Sequence, residues 1–202
     1  MLKRFNTFFF IFMNSIYLIS LLYINFFSHT ERTTCSIRSL SIMAAIDPRI
    51  TIEEFLDSHD LEFERSNADT FMVTLPGEKK LETHCALVVG QHSLSINAFV
   101  IRKPDENQAG VHEWCMRKNA GMYGVAYAIN EVGDIFLVGR LPLNAVTDRE
   151  IDRLLGAVLQ YSDAAFNPLL EMGFQSAIRR EWAWRVSRGE SLTNLTAFDH
   201  LI

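Results

Sequence analysis

Residues 1–42 contain no alanine, valine, glycine, aspartate or proline, although all five occur in the remainder of this 202-residue chain. The whole chain also lacks the short signatures that carry common chemistries. It has no G-x-S-x-G elbow, no H-E-x-x-H pair and no Walker loop. The stretch "LPGEKK" (75–80) offers glycine and lysine, but not the second glycine and the Ser/Thr that cradle phosphates. Cysteine is scarce: Cys35, Cys85 and Cys115 have no paired spacing and leave one thiol over in any disulfide scheme, which points to a reducing compartment. An excess of positive charge is missing too. Of 19 basic and 24 acidic side chains, residues 1–42 hold four and one, so the remainder carries 15 against 23, a net of −8. A body that acidic repels phosphate backbones, and nucleic acid is not an expected partner.

What the first 42 residues do have is seven of the fifteen phenylalanines. Residues 5–27 form a mostly apolar run long enough to span a bilayer, with Lys3 and Arg4 placed to hold the N-terminus inside. Asn6, Asn14, Ser15, Ser20 and Asn25 interrupt the run, and no small-x-small cleavage site follows it. Met43, just ahead of "AAIDPRITIEEF", has the look of an ordinary start. The expected organisation is therefore a non-globular extension over 1–42, read as a mis-assigned start, and a single domain over 43–202 in the cytoplasm. The alternative is an inner-membrane anchor through residues 5–27, with a membrane partner only if residues 1–42 are translated.

The body reads as one α+β domain, a mainly antiparallel sheet flanked by helices. "TIEEFLDSH" has capping-box spacing at Thr51 and Glu54 and puts Ile52, Phe55, Leu56 and His59 on one helical face. "LEFERS" and "TFMVTLPG" predict two short strands around an Asn-Ala-Asp turn. "LETHCALVVGQ" and "SLSINAFVIRK" predict a hairpin in which Leu94, Ile96, Ala98 and Val100 share a face. A helix is expected from Pro104, with Asp105 and Glu106 at the positive end of its dipole. In the next hairpin Gly124, Ala126 and Ala128 form a small-residue face, expected to let a helix lie close. "TDREIDRLLGAVLQYSDAAF" then predicts a helix capped by Thr147, with a break at Asn167-Pro168 and a last helix beyond it.

Four arginines and two tryptophans crowd into "SAIRREWAWRVSRGES" (176–191). Phe174, Ile178, Trp182 and Val186 are spaced by four, which makes Trp182 a core anchor and leaves a basic outer face. Arg180, Trp184 and Arg188 lie on that outer face and are the candidate partner-binding residues, with Arg180 placed to stack on Trp184. Glu181 and Arg185 are spaced for an ion pair. Metal binding is not expected: His84 and Cys85 are strand neighbours that point to opposite faces, and Cys115 falls on the apolar side of its helix with Val111 and Trp114. No catalytic residue and no cofactor is expected. An enzyme would have to be built from scattered groups such as His84, His112 and Glu113.

Together "SLSINAFVIRKPDEN", "MYGVAYAINEVGDIFLVGRLPL", "EIDRLLGAVL" and "EWAWRVSRGES" resemble bacterial YbjN-domain proteins, particularly their actinobacterial branch, over most of 48–191. The resemblance implies a type III secretion chaperone-like fold of helix, three strands, helix, two strands and helix. It also implies a sensory-transduction regulator without enzyme activity, a homodimer, and an unidentified polypeptide as partner. It brings no defined functional residues with it.

Overall fold

Asp47 and Pro48 open the first helix, α1 (Pro48–Ser58), a full turn earlier than the Thr51 capping box predicts. The Asp47 carboxylate accepts from the Arg49 amide at 3.0 Å and proline sits in the first turn, so the earlier cap wins and Thr51 lies inside the helix. The computed structural model describes residues 47–202, which belong to one compact unit. The apolar run 5–27 and Cys35 lie outside the described residues. Among the described residues no helix is long and apolar enough to cross a membrane.

Six strands follow: β1 (Phe63–Asn67), β2 (Thr70–Pro76), β3 (Glu82–Val89), β4 (Ser93–Ile101), β5 (Val125–Ile129) and β6 (Ile135–Pro142). They form one sheet in the order β1-β2-β3-β4-β6-β5, antiparallel at every junction. The only out-of-sequence neighbour is β6, which pairs with β4 because α2 (Gln108–Asn119) carries the chain across the sheet between them. The strand alternation read from the sequence holds in β4, where Leu94, Ile96, Ala98 and Val100 are buried and the intervening residues are half-buried.

All three helices bury their apolar stripes in one cluster on one face. Ile52, Phe55 and Leu56 of α1, Val111 and Cys115 of α2, and Ile151, Leu154, Leu155 and Val158 of α3 (Asp148–Arg188) meet Phe71, Val73, Cys85, Leu87, Ile96 and Leu137 there. Thr147 caps α3 as its sequence spacing requires, its hydroxyl accepting from the Glu150 amide. In β5 the face is the reverse of that expected. Val125 and Tyr127 point to the helices and the Tyr127 hydroxyl donates to the Tyr161 carbonyl at 2.8 Å, whereas Ala126 and Ala128 pair with Val138 and Phe136 on the other side. A tyrosine that reaches a half-buried carbonyl outweighs the closer approach two alanines would permit.

Two further expectations fail together, for one reason. Pro104, Asp105 and Glu106 do not start α2, which begins after Asn107 in the left-handed conformation (φ 48°). Nor does α3 break at Pro168; its only non-helical residue is Phe174 (φ −142°, ψ 19°). The 102–106 segment occupies that break. The Asp105 and Glu106 amides donate to the Gly173 carbonyl at 3.0 and 3.1 Å, taking a helical acceptor out of the ladder. Pro104 packs so near Gly173 that a Cβ there would lie 2.8 Å from the proline Cβ. The Glu106 carboxylate then accepts from the amide and hydroxyl of Ser176, capping the second half of the helix. A 3₁₀ segment (Thr193–Leu201) folds back on this distal half and buries Phe198.

Candidate functional site

The face of the sheet away from the helices carries Met72 and Thr74 of β2, Ala86 and Val88 of β3, Ser95, Asn97 and Phe99 of β4, and Phe136 and Val138 of β6. Phe99 and Phe136 are cross-strand partners with rings edge to face, 5.5 Å apart. No described α-helix buries its stripe on this side, since all three belong to the inner cluster. Ser95 and Asn97 lie between the apolar rows, and Glu64, His84 and Arg140 share the face opposite Met72, Thr74 and Ser95. Its apolar residues are half-buried except Ala86 and Phe136, which are buried.

The two sheet edges differ. At the β5 edge, the Asn119 side chain of α2 donates through Nδ2 to the Tyr127 carbonyl at 3.1 Å and accepts through Oδ1 from the Tyr127 amide at 2.8 Å. One amide side chain thus satisfies both backbone groups of Tyr127 as another strand would. At the β1 edge no such clamp is made among the described residues. The Thr74 amide donates to the Glu62 carbonyl at 2.8 Å, and the register pairs Glu64 with Met72. The amides and carbonyls of Phe63 and Arg65 therefore point away from β2, and meet no hydrogen-bond partner among the described residues. The Arg65 side chain is held, by Glu53 at 3.0 Å and over the Phe71 ring at 5.0 Å.

Arg180, Trp184 and Arg188 follow one another at intervals of one turn on the distal half of α3, all exposed. Arg188, one turn beyond Trp184, lies over its ring at 5.7 Å; the spacing suggested this stacking for Arg180, one turn before it. The Glu181–Arg185 pair forms as expected, at 2.7 Å. The apolar stripe does not continue as predicted: Phe174 and Ile178 are buried, Trp182 is half-buried, and Val186 is 57% exposed. Beyond the break at Phe174 the helix has the 3₁₀ segment rather than the sheet to pack on, so a regular period no longer means a buried one.

The scattered titratable groups stay apart. His84 lies on the outer face, 3.9 Å from the Glu82 carboxylate, while Cys85 is fully buried on the inner face. His112 and Glu113 belong to α2 across the sheet, where Glu113 pairs with Arg117 at 2.6 Å. Burial pushes the thiols of Cys85 and Cys115 up to about 12 and about 11, so both behave as small hydrophobes. Among the described residues no three His, Cys, Asp or Glu side chains converge as a metal site would require.

Sequence reasoning missed Lys80. Strand β3 pairs with β4 only from Cys85 onward, and β4 bulges between Phe99 and Ile101, so the ladder splits at that end. The Lys80 ammonium enters the split. It donates to the Phe99 carbonyl, lies 3.4 Å from the Ser162 hydroxyl, and sits 5.4 Å from the Phe99 ring centre. Ser162 in turn accepts from the buried Thr83 hydroxyl at 3.0 Å. Desolvation pushes the Lys80 amine down to about 7. The lysine side chain does the work of a missing strand, and no local motif announces it.

These features define a class: an α+β protein on one antiparallel sheet, with every described α-helix packed on one side. The chain belongs to the YbjN family, whose model matches residues 48–171 and is described as "Putative bacterial sensory transduction regulator". Among relatives, protein Rv0487 of Mycobacterium tuberculosis is 56% identical over 130 residues, which is 64% of this chain and 71% of the relative. Protein ML2442 of Mycobacterium leprae is 53% identical over 131 residues, 65% of this chain and 71% of the relative. Both relatives are uncharacterized. Among solved structures, the chain is similar to the ExoU-SpcU complex of the Pseudomonas aeruginosa type III secretion system, with 18% identity and a TM-score of 0.48 over 59% of this chain and 98% of that one. It is also similar to the ExsC-ExsE complex, with 12% identity and a TM-score of 0.44 over 60% and 92%. Likeness at that level says nothing of what this chain binds, and its fold class rests on the sheet described above.

Proposed function

We propose that this protein is a non-enzymatic, cytoplasmic regulator that acts as a homodimer by holding a segment of another polypeptide, in a chaperone-like manner. The observation that carries the reading is the one-sided sheet. Every described α-helix is spent on the inner face, and the outer face presents Met72, Val88, Phe99 and Val138 around Ser95 and Asn97. An apolar face interleaved with uncharged hydrogen-bonding groups suits a polypeptide better than a small charged substrate. The apolar rows of that face also suit a second copy of the chain. The family description as a regulator, and a set of titratable groups that do not converge, favour binding over catalysis. Arg180, Trp184 and Arg188 supply a second contact surface on the distal helix, where an aromatic flanked by arginines has the composition of an interface centre.

Affinity capture with the tagged full chain from its native lysate tests the reading. One or a few polypeptides recovered near stoichiometry support it, and recovery of the bait alone overturns it. Light scattering on the eluate reads the oligomeric state. R180E/R188E, at two exposed positions, should leave the circular dichroism spectrum unchanged and reduce capture several-fold; undiminished capture would remove the distal helix from the binding surface.

A further inference from the structure

We propose that the free edge of β1 takes an extended, cationic segment of the partner as a seventh strand. The proposal rests on the polypeptide-binding reading and names where the segment lies and what it carries. Two independent features of the edge meet here. The first is the open ladder: Phe63 and Arg65 offer two amides and two carbonyls, whereas the opposite edge is closed by Asn119. The second is charge. Residues 47–69 hold eight of the 23 acidic side chains found beyond residue 42 and only two of the 15 basic ones, so this segment carries a net of −6 out of the body's −8.

Both basic residues are already engaged. Arg49 lies between Asp47 at 3.1 Å and Asp69 at 2.6 Å, and Arg65 is on Glu53. Asp57, Asp60 and Glu62 are exposed and make no ion pair among the described residues. The Glu53–Arg65 contact shows which side of α1 looks toward β1, and Asp57, four residues on, lies on that same side. A strand laid along β1 would therefore run beside a lip of carboxylates. Such an edge is protected against its own copy, because two acidic edges repel, and it selects for lysine and arginine. The β-bulge between Arg65 and Asn67 ends the ladder after a few residues. Backbone pairing is thus short, charge must supply much of the affinity, and binding should weaken steeply with salt.

The test uses the full chain and three kinds of fluorescein-labelled decapeptide, read by anisotropy at low salt. One alternates lysine and valine, the second is the same sequence with alternate backbone amides N-methylated (each of the two alternate sets in turn), and the third replaces lysine by glutamate. The lysine peptide is expected to bind, at least one N-methylated set to bind ten-fold or more weakly, and the glutamate peptide not at all. D57K/E62K, which alters only exposed side chains, is expected to weaken the lysine peptide ten-fold or more. Undiminished binding by both N-methylated peptides, or undiminished binding to D57K/E62K, overturns strand addition at this edge. If that happens while the captured polypeptide still binds the full chain, the edge is wrong and the polypeptide-binding reading stands; if neither binds, both fall.

Discussion

Glu106 caps Ser176 across 70 residues of sequence, its two carboxylate oxygens accepting from the serine amide at 2.6 Å and the serine hydroxyl at 2.9 Å. The contact locks the break in the long helix to the segment leaving the central strand. Arg102 completes the lock. Its guanidinium forks onto Asp105 at 2.6 and 2.7 Å and lies 4.4 Å above the ring of Phe174, the residue at the break. The distal helix, with Arg180, Trp184 and Arg188, is thereby set at a fixed angle to the sheet.

The Ser176 amide, more than any other contact, holds the Glu106 carboxyl below the ordinary carboxylate range. A lowered folded pKa stabilises the joint above the unfolded pKa and loses that contribution as pH falls through the folded value. E106A should therefore speed hydrogen exchange of amides 174–188 several-fold at pH 7 and leave the β3 and β4 amides protected. The difference between variant and parent should shrink as pH falls below the ordinary carboxylate range. Uniform loss of protection across the chain would show that the joint is not a separate unit.

Lys80 makes the opposite pH prediction. Its amine titrates at about 7 when folded, against an ordinary value of 10.5. Below pH 7 both states are protonated and burial of the charge costs stability. Between about 7 and 10.5 the unfolded chain holds a proton the folded chain lacks, so stability rises with pH, by at most about 5 kcal/mol. K80M removes the charge and should be more stable than the parent at pH 6. By pH 10 the advantage should have gone, leaving a net loss on the order of 1 kcal/mol from the unmet Phe99 carbonyl. Urea unfolding at pH 6, 8 and 10 reads the crossover, and parallel pH dependences would exclude it.

Gly139 faces Val125 across the last hairpin, and a Cβ there would lie 2.5 Å from the Gly124 carbonyl oxygen and 2.8 Å from a Val125 methyl. Backbone cannot yield as a flexible side chain can, so G139A should cost about 1–3 kcal/mol. A melting point lowered by several degrees, with unchanged secondary structure, would bear this out.

The elements legible in the sequence are those whose information is local. The alternation of Leu94, Ile96, Ala98 and Val100, the Thr147 cap and the Glu181–Arg185 spacing each depend on neighbours within a turn or a strand. The misreadings are long-range. Pro168 looks like the breaker, but the break falls at Phe174 because a segment 70 residues earlier takes the Gly173 carbonyl. Ala126 and Ala128 look like a helix-facing surface, but Tyr127 finds its acceptor on α3. The candidate site was readable only in part for the same reason. The acidity of 47–69 is visible in one dimension, whereas an open edge is a property of what the rest of the sheet leaves unpaired.

Asn119 shows how one such unseen residue decides which edge is open. Its amide satisfies both the amide and the carbonyl of Tyr127, which no other single side-chain type of that length does. N119A would leave both groups unmet at the β5 edge, costing on the order of 1–3 kcal/mol. It would also present an unclamped strand beside Ile129, which is 45% exposed. N119D keeps the acceptor for the Tyr127 amide and loses the donor to its carbonyl, so it should fall between the two in stability. Size-exclusion chromatography should then show concentration-dependent association for N119A beyond that of the parent. If N119A unfolds at the parental urea midpoint and elutes as the parent does, the clamp is dispensable and the asymmetry between the two edges has another origin.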